Sequence, residues 1–293
     1  MKILLTGRTG QLGYELERTL QGLGDVVAVN RQQMDLTDLD QVRDVMRAVQ
    51  PQLIINPAAH TAVDLAESNP DVAMRINAEA PAVMAHEARM LGAAMIHYST
   101  DYVFDGDKPG SYFETDIPNP QNVYGRSKLA GEQAIQAAGI PHLILRTSWI
   151  YGLRGKNFLL TVQRLAQERD ELRIVADQFG APTWSRTLAE VTAHALARLQ
   201  SGIAHADLNH DAWTEHAGLY HVSAQGKTSW HGFTQAIIAH PTVLKKPKVT
   251  PIATLDYPLP AKRPANSVLS SERFMQTFCS LPNWDDALNL CLD

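Results

Sequence analysis

Cysteine is nearly missing from this chain. Only Cys279 and Cys291 carry a thiol among 293 residues, and neither shares a metal-ligand spacing with a second donor. A disulfide framework is therefore excluded, and a reduced, cytoplasmic setting is the expectation. No run of about 18 apolar residues occurs, which argues against a membrane span. An excess of positive charge is lacking as well: 26 Lys and Arg against 31 Asp and Glu leave a net charge of -5, so nucleic acid is not an expected partner. The opening Met1 to Gly7 is broken by glycine too early to read as a signal peptide. Neither an internal repeat nor a low-complexity tract is visible.

What is present is 45% apolar residues, enough for one large α/β domain or two smaller ones. Lys2 to Thr6 reads as a short strand. Gly7-Arg8-Thr9-Gly10-Gln11-Leu12-Gly13 follows directly, and Leu12, Leu16 and Leu20 then recur at helical spacing. Strand, glycine turn and helix in that order suit a dinucleotide. Glycines let the backbone approach closely, and unpaired N–H groups at the helix start face a pyrophosphate. Gly7, Gly10, Gln11, Leu12 and Gly13 are thus candidate cofactor residues. Their spacing is Gly-x-x-Gly-x-x-Gly rather than the commoner Gly-x-Gly-x-x-Gly, and a plain turn is the alternative.

Asp25 to Asn30 reads as the second strand. A carboxylate at its end would bind a ribose 2′-hydroxyl, whereas an arginine accommodates a 2′-phosphate. The chain offers Asn30-Arg31, which favours NADPH over NADH, an exposed loop arginine being the alternative. Asp35 and Leu36 fall on the adenine side, although Asp35 equally suits a helix amino terminus. The third strand, from Leu53, ends in Pro57-Ala58-Ala59, small enough to leave room for a cofactor. His60 follows and reads either as part of that wall or as a hydrogen-bonded structural histidine. Ala93 to Thr100 delivers Thr100 and Asp101 to the same edge. Strands alternate with helices, so the expected fold is α/β: a Rossmann-like, doubly wound parallel sheet. The rhythm weakens past Gly152. Residues 1–152 are read as the dinucleotide-binding domain, and 153–293 mainly as a smaller substrate-binding lobe interleaved with the last strands.

Val123 to Ala138 reads as a helix that carries Tyr124 and Lys128 on one face, four residues apart. A free phenol, with a pKa of about 10, is a poor acid–base catalyst at neutral pH, and a fixed ammonium nearby is expected to lower that value. Thr100 adds a hydroxyl that would orient a carbonyl oxygen. The set suits carbonyl reduction, with a chance helical pair as the alternative.

Taken together, Gly7-x-x-Gly10-x-x-Gly13, Ser99-Thr100-Asp101-Tyr102-Val103-Phe104 and Tyr124-x-x-x-Lys128 resemble the extended short-chain dehydrogenase/reductases. Asn56 to Asp64, Arg146-Thr147-Ser148-Trp149, Asp177 to Thr183 and Arg263-Pro264-x-x-Ser267-x-Leu269 narrow the resemblance to the dTDP-4-dehydrorhamnose reductase family. It covers nearly the whole chain. It implies that Tyr124 protonates the developing alkoxide at sugar C4 while a nicotinamide delivers hydride. Lys128 would hold the nicotinamide ribose, and Thr100 the substrate oxygen. Asp101, Tyr102 and Trp149 would border the nucleotide sugar, with Arg263 on its diphosphate. The resemblance also implies a homodimer and, in some members, a Mg2+ ion held by glutamates. Glu15 and Glu190 match two of those positions, and the third falls near Asp293 or past it. Rival readings are a nucleotide-sugar epimerase or dehydratase, disfavoured by Asn30-Arg31, and a non-catalytic regulatory subunit, disfavoured by the full Thr100, Tyr124 and Lys128 set.

Overall fold

The structure, a computed structural model, describes residues 1–201 and 210–293. Five strands and six helices alternate through the first half: β1 (Lys2–Leu5), α1 (Gln11–Thr19), β2 (Asp25–Ala28), α2 (Leu39–Val49), β3 (Leu53–Asn56), α3 (Val63–Ser68), α4 (Pro70–Met74), α5 (Ala80–Leu91), β4 (Ala94–Thr100), α6 (Val123–Ala138) and β5 (His142–Thr147). Side chains supply the caps where backbone groups lack partners. Asp38 accepts from Asp40 and Gln41 to start α2, and Asn122 accepts from Gly125 to start α6. Gly92 and Gly139, both at φ 66°, end α5 and α6 in the left-handed turn that glycine enters freely.

The strands form a six-stranded, all-parallel sheet in the order Gly218–His221, β5, β4, β3, β1, β2. Strands buried on both faces are uniformly apolar in the middle, as Leu53-Ile54-Ile55 is. One helical layer lays Leu12 and Leu16 of α1 and Leu20 at its end, with Leu188 and Leu196 of the helix Ser185–Gln200, onto the sheet. The other brings Val42 and Met46 of α2, Met84 and Ala88 of α5, and Ile135 of α6. A separate apolar cluster (Tyr151, Leu159, Val162, Phe233, Ile237, Leu288) is drawn wholly from the second half of the chain. The strand order reverses between β1 and β3, and a crevice at the carboxyl ends of the strands is the consequence.

Two sequence expectations change here. β2 stops at Ala28, so Asn30 and Arg31 lie in a turn, where the Asn30 side chain accepts from the N–H groups of Gln32 and Gln33 at 2.9 and 3.1 Å. The residues from Asp71 to Leu91 have a helical period that predicts one unbroken helix, yet a π segment, Arg75–Glu79, interrupts it. The wide turn aims Asn77 inward, where its oxygen accepts from His60 N (2.8 Å) and its nitrogen donates to His60 O (3.1 Å) and Ser127 Oγ (3.0 Å). Helical spacing alone carries no sign of such an insertion.

Candidate active site

The crevice at the switch point holds about 460 Å3 and is lined by Gly7, Gly10, Gln11, Leu12, Gly13, Asn30, Arg31, Asp35, Leu36, Ala58, Ala59, Tyr124 and Lys128. The candidate cofactor residues therefore converge, with one exception. His60 is not on the lining; its backbone is clasped by Asn77, and its Nδ1 is buried without a partner. The glycines are needed for their missing side chains. Gly7 has φ +60° and abuts Ala58, and a Cβ on Gly13 would lie 2.2 Å from Gly7 O. Gly10 begins α1 without a side-chain cap, so the first N–H groups of that helix are left for an anion. This cradle fits the pyrophosphate of a dinucleotide. Arg31 is exposed and pairs with Asp35 at 3.2 Å, on the rim where a 2′-phosphate would sit. Gly155 and Lys156 also line the crevice. Sequence spacing gave no hint of them, because tertiary contacts bring their loop back: Gln11 donates to Ile150 O, and Asn157 donates to Gln11.

At the inner end, α6 presents Tyr124 and Lys128 as its spacing predicts, yet the electrostatics differ from the expectation. Burial pushes the Tyr124 phenol up to about 12; the nearby Thr100 hydroxyl pulls the other way and the Asp101 carboxylate adds to the rise. Lys128 does not lower it. Its ammonium points at β4, donating to Tyr98 O at 2.6 Å and to His97 Nε2 at 3.2 Å. Burial draws Lys128 itself down to about 8, opposed by the charge of Glu132 one turn on. Glu132 is in turn held by a buried, bidentate pair with Arg146 at 2.9 and 2.7 Å. Thr100 donates to Asp101 Oδ1 at 2.9 Å and accepts from Tyr102 N at 3.2 Å. The second Asp101 oxygen is buried and unpartnered, and burial raises that carboxyl to about 7.

The expected substrate residues are each held by specific contacts. Tyr102 meets Tyr124 edge-on with ring centres 5.5 Å apart. Trp149 stands at φ 49°, unusual for a bulky residue, and stacks on Trp230 at 3.5 Å and 6°. Gly180 makes room for it, since a Cβ there would lie 2.5 Å from the indole. Arg263 is tied to Asp64 at 2.6 Å and donates to Ala261 O. The magnesium expectation fails the fit. Among the described residues no three His, Cys, Asp or Glu side chains converge, and Glu190 spends its charge on Arg186 of its own helix at 3.3 Å. Two carboxylates do not make a hard-cation site within one chain.

The family model described as RmlD substrate binding domain matches residues 1–293. The dTDP-4-dehydrorhamnose reductase of Burkholderia thailandensis is 47% identical over 299 residues, covering 100% of this chain and 98% of its own. Among solved structures, the dTDP-4-dehydrorhamnose reductase of Clostridium acetobutylicum superposes with a TM-score of 0.90 at 36% identity, covering 100% of this chain and 99% of that one. That of Bacillus anthracis, in complex with NADP, gives 0.88 at 35% identity, covering 99% and 98%. A glycine cradle at the sheet's switch point, Tyr124 and Lys128 together on its lining, and full-length similarity of this degree together place the chain in the dTDP-4-dehydrorhamnose reductase family.

Proposed function

We propose that this protein reduces the C4 ketone of dTDP-4-dehydro-6-deoxy-L-mannose to the alcohol of dTDP-L-rhamnose, with NADPH preferred over NADH. The observation that carries the reading is the half-buried Tyr124 phenol, kept protonated on the crevice wall that it shares with Lys128 and near the Thr100 hydroxyl. A bound reduced nicotinamide supplies the hydride. Reduction then needs a proton donor, and a phenol with a raised pKa is in the correct state for that direction. Tyr124 gives its proton to the C4 oxygen as the carbonyl carbon becomes tetrahedral. Lys128 spends two of its three N–H donors on Tyr98 and His97, and the third is free for the cofactor ribose in the crevice it lines.

Arg31 suits the extra phosphate of NADPH. Arg263 can exchange Asp64 for the substrate diphosphate, since Asp64 is a single competing carboxylate at the mouth of the site. Residues 153–293 supply mainly the substrate side, through Trp230, Gly180 and Arg263. The reading extends to a cytoplasmic homodimer. Incubation of the protein with the ketosugar and NADPH deuterated at nicotinamide C4 is the test. Deuterium at sugar C4 of a dTDP-rhamnose product is expected, and intact NADPH binding without that product would exclude the reading.

A further inference from the structure

Behind Lys128 runs a buried chain of polar groups for which the reaction has no use. Thr6 Oγ1 lies 2.6 Å from Asn56 Oδ1, Asn56 Nδ2 lies 3.1 Å from His97 Nδ1, and His97 Nε2 lies 3.2 Å from Lys128 Nζ. Thr6, Asn56 and His97 are 0–1% exposed, and Lys128 is 2% exposed. At such burial each donor and acceptor has to be matched.

The matching decides a tautomer. With the Asn56 nitrogen facing His97, Nδ1 is an acceptor, so the neutral imidazole must carry its proton on Nε2. That N–H would then point at the Lys128 ammonium, donor against donor. Burial, and the Lys128 charge after it, keep His97 neutral, so a second ring proton offers no escape. A half-turn of the Asn56 amide removes the conflict, and amide orientation is set by hydrogen-bond partners. The Asn56 oxygen then accepts from His97 Nδ1–H, and Nε2 becomes a free acceptor for the ammonium. The Asn56 nitrogen donates to Thr6 Oγ1, which the backbone N–H of Ala58 also approaches at 3.4 Å. Each contact from Thr6 through Asn56 and His97 to Lys128 then pairs a donor with an acceptor.

We propose that His97 is the positioning residue of this site: as the Nδ1-protonated tautomer, held by Asn56 and Thr6, it offers Nε2 as the buried acceptor that fixes the Lys128 ammonium. Tyr98 O fixes a second N–H from the same strand, so β4 determines where the third one points. The other titratable groups around Lys128 are accounted for. Tyr124 and Glu132 come from α6, with Glu132 bound to Arg146 of β5. Asp101 follows β4 and acts on Tyr124. Glu67 of α3 accepts from Val123 N at the start of α6. Asn77 of the π segment is neutral, and Glu87 of α5 is turned to Arg47.

Nitrogen-15 NMR of histidine-labelled protein at neutral pH, with His97 assigned through a His97→Gln variant, tests the tautomer directly. Protonated Nδ1 and unprotonated Nε2 are expected; the reverse tautomer overturns the proposal. This arm needs no turnover, so its failure is distinct from failure of the reductase reading, on which the kinetic arm rests. There, the alkaline limb of kcat/KM is compared among wild type, His97→Phe and His97→Gln. Phenylalanine removes an acceptor for a charged donor, so the neutral amine gains and the limb moves down by about one pH unit or more. Glutamine, whose amide oxygen reaches the place of Nε2, restores most of that shift. Folded variants that both keep the wild-type limb would make His97 a packing residue and overturn the proposal. Should His97→Phe fail to fold, the tautomer decides alone.

Discussion

Burial acts on the acid and the base of this site in opposite directions. It raises Tyr124 to about 12 and lowers Lys128 to about 8, because each neutral form is the one that low dielectric favours. For reduction the first shift is useful, since a phenol that never ionises near neutrality always carries the proton it must give. Asp101 pays in stability for the same burial. Its carboxyl rises from 3.8 to about 7, so the folded state holds a proton that the unfolded state has released between those values. That stabilisation is complete below about pH 4 and is lost as pH rises to about 7. Asp101→Asn, which never ionises, is expected to leave the melting temperature near pH 4 unchanged and to raise it at pH 8. At roughly 1.4 kcal/mol per pKa unit, a gain on the order of 2–4 kcal/mol follows. Calorimetry at the two pH values checks it, and an equal effect at both would refute the assigned protonation.

At this scale the sequence was informative where partners are local. Tyr124 and Lys128 lie one helical turn apart, so their shared face could be read directly. The direction of the Lys128 ammonium could not, because its partners Tyr98 and His97 lie about 30 residues away on β4. A spacing that shows no metal site says nothing about a lone buried acceptor. Trp230 was likewise invisible: nothing near it in sequence announces that it will stack on Trp149.

The glycine loop between β1 and α1 shows how an element can be specified by missing atoms. Gly13 has no room for a methyl group, whereas a Cβ on Gly22, in the turn after α1, meets nothing within 4 Å. Gly13→Ala is therefore expected to push the loop off α1, weaken NADPH binding at least tenfold and lower the melting temperature. Gly22→Ala should bind NADPH as wild type does, with stability unchanged or slightly raised. Fluorescence titration and thermal melts of the pair check this, and equal behaviour would mean that the loop tolerates displacement. β1, β2, β4 and α6 were legible to within about two residues because their hydrophobic periods and caps are local, whereas α3 was not read and β3 stops at Asn56, short of the expected Pro57-Ala58-Ala59 end. The π segment and the return of Gly155 and Lys156 to the crevice were not, since both depend on contacts between distant elements.

Taken whole, the chain past Gly152 is interleaved with the main sheet and its core. The strand Gly218–His221 hydrogen-bonds to β5 inside the main sheet. Leu188, Leu196, Trp213 and Phe274 share one core with Ile3, Leu5 and Leu16. A fragment of residues 1–152 would expose the part of that face which Leu188, Leu196, Trp213 and Phe274 cover, losing roughly 1.5–3 kcal/mol for each large side chain left in water. It is expected to show no cooperative unfolding by circular dichroism, and a sharp melt would mean that the first half is an autonomous domain. The third core, built only from later residues, carries Trp230 against Trp149.

The central claim is that Tyr124 gives the proton while the rest of the site holds the reactants, and NADPH oxidation at 340 nm with the 4-ketosugar tests it most directly. In Tyr124→Phe, kcat is expected to fall by about 10²–10⁴ while the Kd for NADPH stays within about twofold of wild type. A variant that turns over at the wild-type rate would show that the proton comes from another group and would contradict the account.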